Sequence, residues 1–261
     1  MALLATIVVL EGARRVRTGD VILRRLLSGP WSATDPDAER RRWSLVSWLP
    51  PVWTTVVASP ATKTPSPAPP APSASLAAGL AAVRPWYRAL TVLGTVVLVV
   101  LVIGLPFAER HSTGIGVLLA IGATMLLALG TAFVSWYARR RLGLPRSPAW
   151  TALSPFAAPY AAERLLEHTL APHATVVVAR SLLPPQQFRH WIRPRAYDAM
   201  AGAADPELRS ALNGQELQEI LAPPRHADDA PLFCPRCGAV YREADVCADC
   251  ATVRLQAFAI S

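Results

Sequence analysis

Two long uncharged stretches stand out in the middle of the chain. Residues 89–108 and 112–138 contain no charged side chain, and a short polar link separates them. A helix needs about 20 apolar residues to cross the roughly 30 Å hydrocarbon core of a bilayer, and each stretch is long enough. The pattern predicts a transmembrane helical hairpin over residues 84–141, with spans at about 89–108 and 113–138. The alternative is a pair of buried helices in a soluble core.

Aromatic and basic residues mark the two ends of this hairpin. Trp86 and Tyr87 precede the first span, and Trp136 and Tyr137 close the second, as in the aromatic belts of membrane–water interfaces. The flanking arginines are Arg84, Arg88, Arg139, Arg140, Arg141 and Arg146. Because basic residues favour the cytoplasmic side, both termini are expected there, with residues 109–113 outside.

Residues 43–61 form a third uncharged stretch, but Pro50 and Pro51 stand at its centre. Prolines remove backbone donors and clash with the preceding turn, so a continuous helix is not expected there. We predict that residues 1–59 form a cytoplasmic or interfacial module, with its tryptophans at the headgroup level. These tryptophans are Trp43, Trp48 and Trp53. The alternative is a small folded module with the tryptophans in its core. Candidate strands are Thr6–Leu10 and Val21–Leu23.

Small side chains recur at every fourth residue of the second span. They are Gly116, Ala120, Thr124, Ala128 and Ala132. This spacing places them on one helix face, where another helix can approach closely. We predict that this small-residue ridge packs against the first span or against a protein partner or second copy of the chain. Neither span holds an ionisable side chain, which gives a pore or an ion transporter no support.

The remaining segments are polar or rich in proline. Residues 60–83 are rich in proline and alanine and are expected to form an extended linker. Residues 142–221 are predicted as a cytoplasmic α+β region, and residues 222–231 as a second linker. The elements expected in the α+β region are helices at Pro155–Leu170 and Pro206–Leu221 and a strand at Thr175–Val178.

The composition and the charge distribution support contact with a membrane. Hydrophobic residues make up 52% of the 261 residues and charged residues 17%, against about 25% in soluble domains. Of the net charge of +8, residues 84–148 carry +6 and residues 149–261 carry −2. A nucleic-acid-binding domain would concentrate basic charge on its own folded part, so this distribution favours a membrane surface as the partner of the basic residues.

Motifs for catalysis are missing from the sequence. No nucleophile motif or glycine-rich phosphate loop occurs, and the spacings of three histidines match no metalloprotease pattern. These histidines are His168, His173 and His190. Residues 188–193 mix aromatic and basic side chains, which suits interfacial anchoring or a packed loop better than stacking on nucleic acid. The sequence therefore predicts no enzymatic activity and no catalytic residue.

Four cysteines near the C-terminus are the one specific chemical signal. They form two CxxC pairs, Cys234 with Cys237 and Cys247 with Cys250, and the chain holds no other cysteine. Each CxxC pair presents two thiolates from one tight turn, and two such turns supply the tetrahedral set of four sulfurs that zinc prefers. Two disulfides or a redox pair are the alternatives, and the reducing cytoplasm disfavours disulfides. We expect one structural zinc ion held by these four residues.

The segment containing the cysteines resembles the short zinc-ribbon family of bacterial proteins. The resemblance covers about residues 232–255 and rests on the Cys-Pro-Arg-Cys-Gly knuckle, a short hairpin and the second CxxC pair. It implies a zinc ribbon with the four cysteines as ligands, and it implies no activity. Ala251 departs from the family pattern, which usually has glycine there, and alanine strains a turn with positive φ.

Together these features predict an α-helical integral membrane protein with a two-span transmembrane hairpin, small α+β cytoplasmic parts and a C-terminal zinc ribbon. The expected location is the inner (cytoplasmic) membrane of a bacterium, with both termini cytoplasmic. The predicted role is a non-enzymatic scaffold or accessory subunit of a membrane protein complex, with the ribbon in contact with protein. The alternative is a membrane-tethered nucleic-acid-binding regulator, although the charges of the ribbon cancel. Because about 24 residues bury too little apolar surface to fold alone, metal loss is expected to unfold only the ribbon.

Overall fold

The structure is a computed structural model in which the contacts between residues divide the chain into two compact units. The first unit comprises residues 1–173 and the second residues 174–261. The structure describes residues 14–17, 21–26, 29–34, 43–46, 53–58, 73–111, 114–144, 156–203, 205–224 and 231–258. The finer division of the chain drawn from the sequence stays a prediction.

The part of the first unit that the structure describes begins with five short antiparallel strands. They are β1 (Arg14–Arg17), β2 (Val21–Leu26), β3 (Trp31–Thr34), β4 (Trp43–Val46) and β5 (Trp53–Ala58). β1 pairs with β4, while β2 lies between β3 and β5. Val21, Ile22 and Leu23 are buried, as expected for a strand of β-branched and apolar residues. The strand predicted at Val21–Leu23 is confirmed, and the one at Thr6–Leu10 lies outside the described residues.

The third uncharged stretch contributes two of these strands. β4 and β5 both fall within residues 43–61, so the described parts of this stretch form no membrane-crossing helix. This agrees with the effect expected of Pro50 and Pro51, which lie outside the described residues. The side chains of the three tryptophans are also outside them, so their interfacial placement stays a prediction.

Two long apolar helices follow the strands. α1 (Ser73–Val99) continues through a π-helical turn (Val100–Gly104) into α2 (Leu105–His111), and α3 (Gly114–Arg141) comes after a short turn. Both are long and apolar enough to cross a membrane, and the continuous helix that ends at His111 is 37 residues long from Ser75.

The start of α1 corrects the linker predicted at residues 60–83. Ser73 already lies in the helix, so only residues up to 72 remain for a spacer, and these lie outside the described residues. The reason is compositional. The run of closely spaced prolines ends at Pro72, and the residues that follow are rich in alanine and leucine, which favour helix.

One face of α1 is buried at regular intervals. Leu76, Val83, Leu90 and Val97 are 2% exposed or less, and their spacing of seven residues places them on the same side of the helix. This side meets a 3-10 turn at Ala158–Tyr160 and the following helix α4 (Ala161–Leu170). The described part of the helix predicted at Pro155–Leu170 is therefore confirmed.

Two glycines of α1 show how α4 runs along it. A Cβ atom on Gly94 would lie 2.9 Å from the Cα of Pro159, and one on Gly79 would lie 3.4 Å from the Cγ2 of Thr169. Later residues of the α4 segment thus meet earlier residues of α1, so the two helices are antiparallel. The contact at Gly94 is backbone against backbone, which a side chain would prevent.

The small-residue ridge of α3 is partly covered within the chain. Thr124 and Ala128 are buried, and Ala128 belongs to a cluster with Val97, Leu101 and Ala158. The centre of the ridge therefore packs against the first apolar helix, which was one of the expected contacts of this ridge. A contact of this ridge with a partner or second copy stays a prediction.

In the described residues of the second unit, four helices precede the cysteine segment. They are α5 (Thr175–Leu182), α6 (Pro185–Met200), α7 (Pro206–Ala211) and α8 (Gly214–Leu221). The strand predicted at Thr175–Val178 is wrong, because these residues open α5. Val176 and Val178 are fully buried there, so tertiary packing outweighs the modest β preference of their branched side chains. The described part of residues 142–221 is accordingly helical rather than α+β.

The helix predicted at Pro206–Leu221 is interrupted once. Asn213 starts a new helix, since its side chain accepts a hydrogen bond from the amide of Glu216 at 2.8 Å. In return, its own amide donates to the Glu216 carboxylate at 3.0 Å. This reciprocal capping box ends the preceding turn and begins α8.

The close approach at Gly94 leads to a test of the packing in the first unit. Gly94→Ala is expected to push the 3-10 turn away from α1 and to lower the free energy of unfolding by about 1–3 kcal/mol. Gly130→Ala on α3 is the control, because a Cβ atom there meets nothing within 4 Å. Thermal unfolding in detergent should show a lower Tm for Gly94→Ala alone, and an equal Tm for both variants would contradict the packing.

Candidate metal centre

The four cysteines predicted as zinc ligands meet at one point. The sulfur atoms of Cys234, Cys237, Cys247 and Cys250 all lie within 4.8 Å of one another, and Cys237 Sγ is 3.6 Å from Cys247 Sγ. Zinc–sulfur bonds of about 2.3 Å in a tetrahedron place the sulfurs about 3.8 Å apart. The thiols are free and not joined as disulfides. The donor set and its spacing fit a metal ion such as zinc.

Each CxxC pair lies on a turn of the same construction. The amide of Gly238 donates to the carbonyl of Cys234 at 2.8 Å, and the amide of Ala251 donates to the carbonyl of Cys247 at 2.8 Å. Both donors have positive φ, +80° at Gly238 and +49° at Ala251. Ala251 thus adopts the left-handed conformation that the resemblance implies for this position, and it does so without the freedom of glycine.

A small antiparallel sheet supports these turns. It contains β6 (Leu232–Phe233), β7 (Val240–Tyr241) and β8 (Gln256–Ala257), with β6 in the middle. Phe233 and Phe258 are buried, and their rings lie 4.9 Å apart. Apart from these two rings the segment buries little apolar surface, so a bound metal would add substantially to its folding free energy.

Hydrogen bonds to sulfur favour the ionised form of Cys247. The hydroxyl of Tyr241 lies 3.2 Å from Cys247 Sγ, and the amide of Cys250 donates to the same sulfur at 3.4 Å. Burial opposes ionisation, but these hydrogen bonds outweigh it and lower the pKa of Cys247 to about 7. Burial raises the pKa of Cys237, which disfavours the ionised form of that thiol.

The first knuckle is bound to α6 by an ion pair that the sequence does not reveal. Arg236, between Cys234 and Cys237, donates two hydrogen bonds to Asp198 of α6, at 2.9 and 2.8 Å. The arginine also interacts electrostatically with Cys250, so it lies between the cysteine cluster and the helix. The two residues are 38 positions apart and belong to no repeating pattern.

The other candidate residues lie outside the cysteine cluster. Residues 188–193 lie in α6, where Phe188 and Trp191 are buried with their rings 6.1 Å apart. These rings are packed, but in a helix rather than in the expected loop, and neither is available for stacking on nucleic acid. His168, His173 and His190 join no metal-binding group in the part of the chain that the structure describes, where the four cysteines form such a group.

Comparison with known proteins reveals no relative. No family model matches the chain, and no curated protein or solved structure matches it either. The interpretation of the cysteine cluster therefore depends on its geometry alone.

The strained turn at Ala251 leads to a test of the metal centre. Ala251→Gly is expected to relieve the positive φ and to stabilise the metal-bound segment by about 1 kcal/mol, or about fivefold in zinc affinity. Competition with a chelator, measured on the full chain in detergent, gives that affinity. The reverse exchange, Gly238→Ala, should weaken zinc binding, because it introduces the same strain into the first turn. Unchanged affinity in both variants would contradict the turn geometry.

Proposed function

We propose that this chain is a membrane-anchored, non-enzymatic scaffold or accessory subunit whose C-terminal zinc ribbon contacts a protein partner. The apolar helical hairpin would anchor the chain in the membrane, and the four-cysteine metal centre would hold the small polar surface of the ribbon in a fixed shape. The membrane is the bacterial inner membrane, and both termini face the cytoplasm.

The outward faces of the two apolar helices support the membrane anchor. In their most apolar stretches, only 22% and 17% of the residues are buried inside the protein. A core helix of a soluble protein would be mostly buried. Large apolar side chains exposed on α3 include Ile115, Leu118, Leu119, Leu126 and Phe133. Such a contiguous apolar surface is stable in contact with lipid and unstable in water.

The ends of the hairpin support its insertion and orientation. Trp86 and Tyr137 are in edge contact, with ring centroids 5.5 Å apart, so the aromatic residues of both helices lie at one level. Arg140 lies over the ring of Trp136 and Arg141 over that of Tyr137, at 5.7 and 5.4 Å. Arginines stacked on an aromatic belt are typical of the cytoplasmic interface.

The donor set of the metal centre supports a structural role. Four cysteines fill all four positions of tetrahedral zinc and leave none for a substrate or water, whereas catalytic zinc keeps one position open. The zinc would hold the two knuckles together and supply no reaction chemistry. The four-cysteine donor set is the observation that supports the non-enzymatic part of the proposal.

The charges of the ribbon favour protein over nucleic acid as its partner. Arg236 is already paired with Asp198, which leaves two arginines against three acidic side chains between Leu232 and Leu255. These are Arg242, Arg254, Glu243, Asp245 and Asp249. Nucleic-acid binding needs a surplus of cations to neutralise phosphates. The apolar Val240 is 42% exposed, and we propose Val240, Tyr241 and Val253 as candidates for the contact face.

A single preparation tests both parts of the proposed function. We expect the tagged full chain to remain in membranes after an alkaline wash and to co-purify with a stoichiometric membrane protein in mild detergent. Cys237→Ser should remain in the membrane but lose that partner, because the ribbon surface is no longer organised. Co-purified nucleic acid, or a partner retained equally by Cys237→Ser, would contradict the scaffold role. Loss of the wild-type chain in the wash would contradict the anchor.

A further inference from the structure

Arg193 of α6 is a buried cation that lies between α8 and the first cysteine knuckle. It is 7% exposed, and it donates four hydrogen bonds to backbone carbonyls. The sequence places it in the aromatic and basic run 188–193 but does not connect it to the cysteines, since the nearest one is Cys234, about 40 positions later. A buried guanidinium is costly unless its donors are satisfied, so its partners must be held in place.

Three of these carbonyls belong to the end of α8. Arg193 Nη1 donates to Ile220 at 3.0 Å and to Ala222 at 2.8 Å, and Nη2 donates to Leu221 at 3.1 Å. The last carbonyls of a helix lack partners within the helix, and a cation there also complements the helix dipole. Arg193 thus caps α8 from a different helix.

The fourth carbonyl belongs to the metal centre. Arg193 Nε donates to the carbonyl of Pro235, which lies between the first two cysteines, at 3.3 Å. The side chain also covers Gly238, where a Cβ atom would lie 3.3 Å from both Cδ and Nε of Arg193. Its positive charge is coupled to Cys234 and Cys237. The guanidinium therefore contacts the knuckle that the metal would shape, and its charge lies near two of the four cysteines.

We infer that Arg193 is a positioning residue of the metal centre and that it links metal binding to the order of α8. This inference depends on the proposed structural zinc. Without metal the first knuckle loses its fixed shape, the Pro235 carbonyl moves away, and the buried guanidinium loses a partner. Linkage is reciprocal. If zinc binding stabilises the ordered end of α8 through Arg193, the contacts of Arg193 with α8 must raise the affinity for zinc by the same free energy. Metal loss then affects more than the ribbon.

Arg195 is a matched control two residues along the same helix. It binds Asp205 at 2.8 and 3.1 Å and Glu207 at 3.3 Å, so its loss also breaks a partly buried network. Those partners belong to the start of α7 rather than to the cysteine segment. A variant at Arg195 therefore reports general destabilisation of the unit without removing a contact to the knuckle.

The first experiment measures zinc affinity of the full chain in detergent by competition with a chelator. Arg193→Gln is expected to bind zinc about 10-fold to 100-fold more weakly than wild type, the usual effect of losing a residue that supports metal ligands. The zinc affinity of Arg195→Gln should stay within about twofold of wild type. Arg193→Lys should lose zinc affinity to a similar extent as Arg193→Gln, because lysine keeps the charge but lacks the planar guanidinium that donates to four carbonyls.

A second measurement tests the reverse direction of the linkage. Hydrogen exchange of residues 214–224 should increase in wild type when zinc is removed, and Arg193→Gln should show that increase with zinc still present. Equal losses of zinc affinity in Arg193→Gln and Arg195→Gln would overturn the inference, as would unchanged exchange of α8 on zinc removal. A wild-type chain that binds no zinc would overturn both this inference and the proposed metal centre, whereas the first two outcomes leave the metal centre intact.

Discussion

Four cysteine sulfurs lie within 4.8 Å of one another, and as thiolates they would repel unless a cation lay between them. Contacts around this cluster join the cysteine segment to the helices of the second unit. The Pro235 carbonyl accepts a hydrogen bond from Arg193 of α6, and Arg236 pairs with Asp198 of the same helix. The helices and the cysteine segment, which look separable in the sequence, thus support each other.

A different constraint shapes the first unit. If these helices lie in lipid, as proposed, they gain little from apolar burial between themselves, so close backbone approach and small side chains must hold them together. Gly94 allows the backbone of Pro159 to approach α1, and Ala128 packs with Val97. Large apolar side chains on the other faces of both helices are exposed. The same sequence feature, small residues on one face and large ones on the other, produces both the packing and the exposed apolar surface.

The parts of the fold that depend on local or periodic patterns could be predicted from the sequence. Length and apolarity identified both long helices, and the CxxC spacing identified four sulfurs that the structure brings together. The contacts of Arg193 and of Asp198 could not be predicted, because they join residues 27 to 42 positions apart without any repeating pattern. Val176 and Val178 misled the prediction for a physical reason, since complete burial in a helix outweighs a weak preference for strand.

The metal content of the intact protein tests the central claim most directly. The full chain, purified in detergent under reducing conditions and freed of loosely bound ions, should contain one zinc ion per chain by elemental analysis. Its four thiols should become reactive toward a thiol reagent only after a chelator removes that ion. A preparation without metal whose C-terminal segment is nevertheless ordered, or whose cysteines are joined in disulfides, would contradict the account.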